Sequence, residues 1–261
     1  MTVVATTEHV LNSLAIPAGA RVDQRVPKKL LVEQGAPTAS DKRQINDSID
    51  SLHWVAALKP TTIGVPVYRD EAREYLEITV LFATLRGDMN QGARVDRLME
   101  LIHRAIPYPV LLLVNAGAAQ YLSMAHKRWA QNEIGKVVLE GGIVSVSLSA
   151  DTQDPKVFCD FVENLSLNKQ PRQTLFDLYQ GWLNCIYALL AANLTGKFIG
   201  ATSKKQAHAR RQALYECEEI ERELTRLHAL TLREKQAARR VELNLTLKKL
   251  RARLAAARQA L

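Results

Sequence analysis

Apolar positions change period several times along this chain, and each change marks an element. After Ser40 and Asp41, Ile45, Ile49 and Leu52 recur at helical spacing, and either polar residue can cap the exposed first amides of that helix. Runs at 53–58, 62–67 and 75–85 are rich in Thr, Ile, Val and Tyr and read as strands, separated by Pro60 and a charged stretch at 69–74. A loop is expected from Gly87 to Gly92. Val95, Leu98, Leu101 and Ile102 form a second helical face that ends before Pro107. The continuous apolar run 110–114 fits a strand covered on both faces. Residues 121–129 and 143–148 alternate and extend the sheet, with Gly141-Gly142 read as a turn before the second run.

The later third is helical. Asp154-Pro155 opens a helix with Val157, Phe158, Phe161 and Val162 on its face. Residues 174–194 form a long apolar helix that must pack on the body. From 201 to 261 there is neither Gly nor Pro. Ala213, Cys217, Ile220, Leu224 and Leu227 make one coiled-coil seam; Leu243, Leu247, Leu250, Leu254, Ala257 and Leu261 make another. Phase is lost around 228–240. With no Gly or Pro to turn the chain, one long helix with a stutter is expected rather than a hairpin. The fold expected is therefore an α/β (α+β) body with a mixed sheet and a long C-terminal helical coiled-coil arm. Its segments are 1–40 (irregular, with a short helix near 8–14), 41–150 (core), 151–200 (helical packing) and 201–261 (arm).

Charge sharpens the picture of the arm. The formal net charge is +8, and residues 201–261 hold 15 Lys and Arg against 7 Asp and Glu, so the other 200 residues balance. An acidic block, Glu216 to Glu223, precedes a distal part dominated by Arg and Lys. Such a stretch attracts phosphates or an acidic partner, and it also suits the solvated face of a coiled coil. Arg239, Arg240, Lys248, Lys249, Arg251 and Arg253 are the candidate DNA contacts. Ile220, Leu224, Leu227, Leu243, Leu247, Leu250 and Leu254 are the candidate partner contacts, for another protein or a second copy.

Composition is that of a globular chain, 47% apolar and 24% charged. No apolar run reaches the roughly 18 residues of a membrane span. The first twenty residues lack a basic n-region, so no secretory signal is expected. Cys159, Cys185 and Cys217 are odd in number and widely spaced, which fits a reduced, cytoplasmic protein. No phosphate-binding Gly-rich loop, nucleophile elbow or Cys/His metal spacing is present. Ser145, Ser147 and Ser149 read as polar strand positions, and His53 and His126 as structural or surface histidines. The order from 41 to 115, helix, three strands, helix, strand, is that of restriction-endonuclease-like nucleases. These hold Mg²⁺ with two carboxylates and orient water with a lysine. Asp70, Glu77 and Lys127 would supply that site. Yet Thr79 stands two residues after Glu77 where a lysine is needed, and Glu77 reads more simply as an outward strand charge or a partner of Lys42 or Arg43. No other cofactor is expected.

Asp41-Lys42, the run from Trp54 through Leu58, Pro60, Thr62 and Ile63, Glu77-Ile78 with Val80, the stretch Ile106 to Pro109, Leu194-Thr195-Gly196 and Val241 to Asn244 together resemble a prokaryotic family, domain of unknown function 4391. The resemblance covers nearly the full length. It implies a companion of superfamily-2 helicases and DNA methyltransferases in restriction-like antiviral, phage-defence loci, and it carries over no catalytic residues. The expectation is a non-catalytic assembly subunit that binds a helicase or methyltransferase, and DNA. The alternative is a Mg²⁺-dependent DNA nuclease with a degenerate site.

Overall fold

The computed structural model describes residues 7–87, 92–131, 136–148 and 154–261. They form two compact units, Met1–Ile186 and Tyr187–Leu261.

The first unit is α+β, built on a mixed six-stranded sheet. The chain opens with α1 (Thr7–Ser13), a 3-10 turn (Ala18–Ala20) and β1 (Arg21–Arg25), then α2 (Lys28–Gln34), α3 (Ala39–Ser48) and β2 (Ile49–Leu58). A single turn, α4 (Pro60–Ile63), and a small separate hairpin, β3 (Tyr68–Arg69) and β4 (Glu74–Tyr75), lead to β5 (Ile78–Leu85). Helix α5 (Gly92–Ala105) connects to β6 (Val110–Ala116), followed by β7 (Ala119–Trp129) and β8 (Val137–Ser147). Strand order is β1-β2-β5-β6-β7-β8; only the β5–β6 pair is parallel, as the α5 crossover requires. Helices α6 (Pro155–Asn164) and α7 (Leu175–Thr195) follow.

The central strands are apolar on both faces because both are covered. Leu81 and Ala83 of β5, with Val110, Leu112 and Val114 of β6, join Leu31, Ile45, Val95, Leu98 and Ile102 in one core under α2, α3 and α5. By the pleat, Leu111 and Leu113 point the other way. On that side the Tyr179 hydroxyl of α7 accepts from Ala125 N (2.9 Å) and reaches the carbonyls of Val110 (2.8 Å) and Ala125 (2.9 Å). Trp182 is fully buried and donates its indole N–H to Leu165 O at 2.8 Å.

Asp154 caps α6 as expected, accepting from Lys156 N at 2.8 Å. The cap of α3 is Thr38, rather than Ser40 or Asp41. Asp41 sits in the first turn, accepts from the Thr38 hydroxyl at 2.7 Å and from Arg97 at 2.9 and 3.0 Å. These bonds hold its carboxyl down to a pKa of about 2.

Several sequence expectations are corrected. Residues 62–67 are not a strand: Pro60 starts the α4 turn, and Gly64 closes it at φ +66°. The expected strand 75–85 is split at Leu76 and Glu77. The helix-strand-strand-strand-helix-strand order is therefore not present as expected. The edge strand β1, inside the segment read as irregular, was hidden by its charged sequence. Gly141 and Gly142 (φ +74° and +87°) lie inside β8, where the pairing with β7 shifts between Met124 and His126; they make a bulge, not a turn. Residues 88–91 of the expected Gly87–Gly92 loop and Ser149 lie outside the described residues. Among the described residues no helix is long and apolar enough to cross a membrane.

The second unit contains the end of α7, α8 (Lys204–Arg233) and α9 (Ala237–Gln259). The single long helix expected here is two. Glu234 and Gln236 adopt extended backbone (φ/ψ −73°/126° and −80°/121°), conformations open to any residue, so the break needs neither Gly nor Pro. A 30-residue helix is about 45 Å long. A three-residue link cannot span that length, so two helices paired side by side must run antiparallel.

Candidate polyanion and partner interface

The helical hairpin forms because each seam found in the sequence supplies the other with a partner. Ala213, Cys217, Ile220 and Leu227 of α8 and Leu247 and Ala257 of α9 are buried. Leu224, Leu243, Leu250 and Leu254 are half-buried. The residues assigned to partner binding are thus seated, wholly or in part, within the hairpin itself.

Electrostatics reinforces the pairing. Arg253 donates to Glu216 at 3.0 Å and Arg258 to Glu221 at 2.8 Å, joining the basic α9 to the acidic block of α8. The remaining acidic residues of the block are partly spent along α8, in the pairs Glu218–Arg222 and Glu223–Arg226. Arg239, Arg240, Lys248, Lys249 and Arg251 are all exposed. Among the described residues none of these five side chains makes an ion pair or hydrogen bond. Of the six candidate DNA contacts, only Arg253 is committed to a carboxylate.

Near the link the hairpin leaves apolar side chains in water. Leu230, Leu232, Val241 and Leu245 are exposed, Leu232 to 77%. Sequence reasoning missed them as a group because they fall out of phase with the inner seam.

The three candidate metal-site residues lie in the first unit and share no partner. Asp70 is exposed in the β3–β4 turn, accepting from the amides of Ala72 (2.8 Å) and Arg73 (2.7 Å) and from the Tyr68 hydroxyl (2.8 Å). Glu77 is buried, not an outward charge, and pairs with Lys59 at 3.2 Å rather than Lys42 or Arg43. The Thr79 hydroxyl also donates to it at 3.3 Å. Lys127 is buried on β7; its ammonium donates to the carbonyls of His103 (2.7 Å) and Ile106, closing the C-terminal end of α5. Burial lowers its pKa to about 7. Among the described residues no group of three His, Cys, Asp or Glu is placed to hold a metal.

The structure also assembles a polar and aromatic cluster that no local spacing announced. The Tyr75 hydroxyl and His126 Nδ1 are 2.5 Å apart, and His126 Nε2 is 3.0 Å from Gln180 Oε1. Gln180 in turn donates its amide to Asn184 at 3.0 Å, which fits the histidine tautomer with its proton on Nε2. Phe176 stacks between Tyr68 (4.8 Å) and His126 (5.1 Å), and the Arg73 guanidinium lies 5.4 Å over its ring. Arg73 also donates to Glu140 at 3.0 Å. The members come from β3, the β3–β4 turn, β4, β7, β8 and α7, so only the fold joins them. The Tyr75, His126 and Gln180 tips each meet another side chain, as in a structural network that fastens α7 to the sheet, while Arg73 Nε and Glu140 Oε2 are buried without a hydrogen bond.

Residues 14–254 match the family model described as Domain of unknown function (DUF4391). No curated protein and no solved structure matches the chain.

Proposed function

The chain belongs to the family described as Domain of unknown function (DUF4391), and for it we propose the role of a non-catalytic assembly subunit that joins a protein partner to DNA. Its setting in this reading is a prokaryotic restriction-like antiviral defence system, and the partner is a helicase or DNA methyltransferase of the same locus. The observation that carries the reading is the set of five exposed cations on α9, without a carboxylate partner, in the one segment that holds the whole charge surplus. Phosphate oxygens are the natural counter-charge for such a row. The exposed Leu230, Leu232, Val241 and Leu245 supply apolar area for the protein partner, in place of the inner seam.

The test is retention of duplex DNA by the full chain at low salt. Wild type is expected to bind and to be released as salt rises. Replacing Arg239, Arg240, Lys248, Lys249 and Arg251 by Gln is expected to abolish binding while circular dichroism is unchanged. Binding that survives this replacement would contradict the reading.

A further inference from the structure

Two paired helices leave the flanks of their shared seam open unless a third element lies against them. Near its start α8 has such cover: the hydroxyls of Tyr215 and of Tyr187 on α7 are 3.3 Å apart, and the Arg211 guanidinium lies 5.9 Å from the centroid of the Tyr187 ring. Farther along, toward the link, a groove of about 470 Å³ lies between α8 and α9. Leu224, Ala229 and Leu232 of α8 and Leu247 of α9 line it. Leu247 is buried, Leu224 is half-buried and Leu232 is 77% exposed, so one apolar surface runs from the seam out into water. The stretch from Leu224 to Leu232 covers about 12 Å of helix, roughly two turns.

The rim sets the charge of the occupant. Arg251 belongs to the lining, and no Asp or Glu does among the described residues. Lys248 stands three residues before Arg251 and so neighbours it on the surface of α9. Both are exposed, and among the described residues neither makes an ion pair or a hydrogen bond. The carboxylates of α8 that precede Leu224 are already spent, Glu221 on Arg258 and Glu223 on Arg226. The groove therefore joins an apolar floor to an edge of uncompensated positive charge. A phosphate backbone matches the edge but leaves Leu232 in water. A second copy of the hairpin covers Leu232 but sets cations against cations. A helix with an apolar stripe beside carboxylates satisfies both features, and grooves between helices take such helices through residues spaced three and four apart.

We propose that this groove seats an acidic amphipathic helix of the protein partner, with its apolar stripe on Leu224, Leu232 and Leu247 and its carboxylates on Arg251 and Lys248. The proposal rests on the partner-binding role given above and names the segment of the partner that is received. Arg239, Arg240 and Lys249 stay outside this contact, so a docked helix still leaves cations for phosphate.

Fluorescence anisotropy of labelled synthetic peptides, about three heptads long, titrated with the full chain tests this. The first peptide carries Leu at the a and d positions and Glu and Ala elsewhere. The second has Lys in place of Glu. The third keeps the composition of the first but scatters the Leu residues so that no stripe forms. The first is expected to bind at least tenfold tighter than either of the others. Leu232→Ser, at an exposed site, is expected to weaken it at least fivefold with circular dichroism and duplex DNA retention unchanged. Arg251→Glu with Lys248→Glu is expected to erase the tenfold preference for Glu over Lys. Duplex DNA retention by the same chain keeps the two proposals apart: DNA held while the first peptide is refused overturns the groove alone, and the peptide held while DNA is refused overturns the DNA contact alone. Equal affinity for all three peptides, affinity indifferent to Leu232→Ser, or a homodimer that Leu232→Ser dissolves would also overturn the proposal.

Discussion

Asp41 joins the start of α3 to α5 through Thr38 and both arms of the Arg97 fork. Thr38→Ala removes one cap and is expected to cost about 1 kcal/mol in urea unfolding. Asp41→Ala should cost more, about 2–3 kcal/mol, less than a fully buried pair because Arg97 is one-third exposed. Protonation acts on the same carboxyl. Its folded pKa of about 2 lies below the ordinary 3.8, so its stabilisation is complete above 3.8 and is lost as pH falls through 2. His103 adds to the acid side. Burial, and then the Lys127 charge, lower it from 6.5 to about 3, so the unfolded state takes up the proton first and stability drops as pH falls from 6.5 to 3. Lys127 acts at the other end. Folded at about 7 against 10.5 unfolded, it makes stability rise with pH across that window, with a limiting slope of about 1.4 kcal/mol per pH unit. Lys127→Met is expected to abolish that rise in denaturant titrations at pH 7.5 and 9.5. It should also lower stability at pH 7 by about 1–3 kcal/mol for each carbonyl left without a donor. The sequence exposed Asp41 as a residue of the α3 start, because capping is local. It did not expose the roles of His103 or Lys127, because their partners lie 20 to 24 residues away.

Among the elements, those with strong period were legible: α5, β6, β7, α6 and α7 stand where apolar spacing put them, whereas α3 ends at Ser48 and two of the three residues read as its face, Ile49 and Leu52, belong to β2. What failed was punctuation. Thr62 to Val67 has strand-forming residues, yet Pro60 and Gly64 impose one helical turn. Gly141-Gly142 looked like a turn, but a bulge within a strand uses the same positive φ. The break between α8 and α9 was illegible because its residues are extended, a conformation that leaves no compositional mark. Helix α7 provides a test of packing against propensity. In an open helix, Gly→Ala gains about 1 kcal/mol. At Gly181 a Cβ would meet Pro171 Cδ and Gln170 Oε1, both at 2.6 Å. Overpacking of about 1–3 kcal/mol is therefore expected to win, and Gly181→Ala should lower the melting temperature. A raised melting temperature would show that the 170–171 segment yields freely.

At the scale of the whole molecule, a balanced α+β unit and a basic helical unit divide the chain between them. The sequence made the charge division plain, and with it the six cations; it could not tell which of them a carboxylate would claim, since the Arg253–Glu216 pair depends on the hairpin. The buried seam is expected to hold that hairpin. Leu227→Asp with Leu247→Asp should therefore remove the helical signal of α8 and α9, with the thermal transition of the first unit retained. Leu232→Ser with Val241→Ser should leave helicity intact and abolish capture of the protein partner. The salt dependence of duplex DNA affinity decides whether the five cations meet phosphate. Each phosphate contact adds roughly 0.9 to the log–log slope. Five contacts give about −4 to −5 for wild type, and no measurable affinity is expected once the five are Gln. A wild-type slope near zero, or one unchanged by the replacement, would contradict a DNA-contacting hairpin.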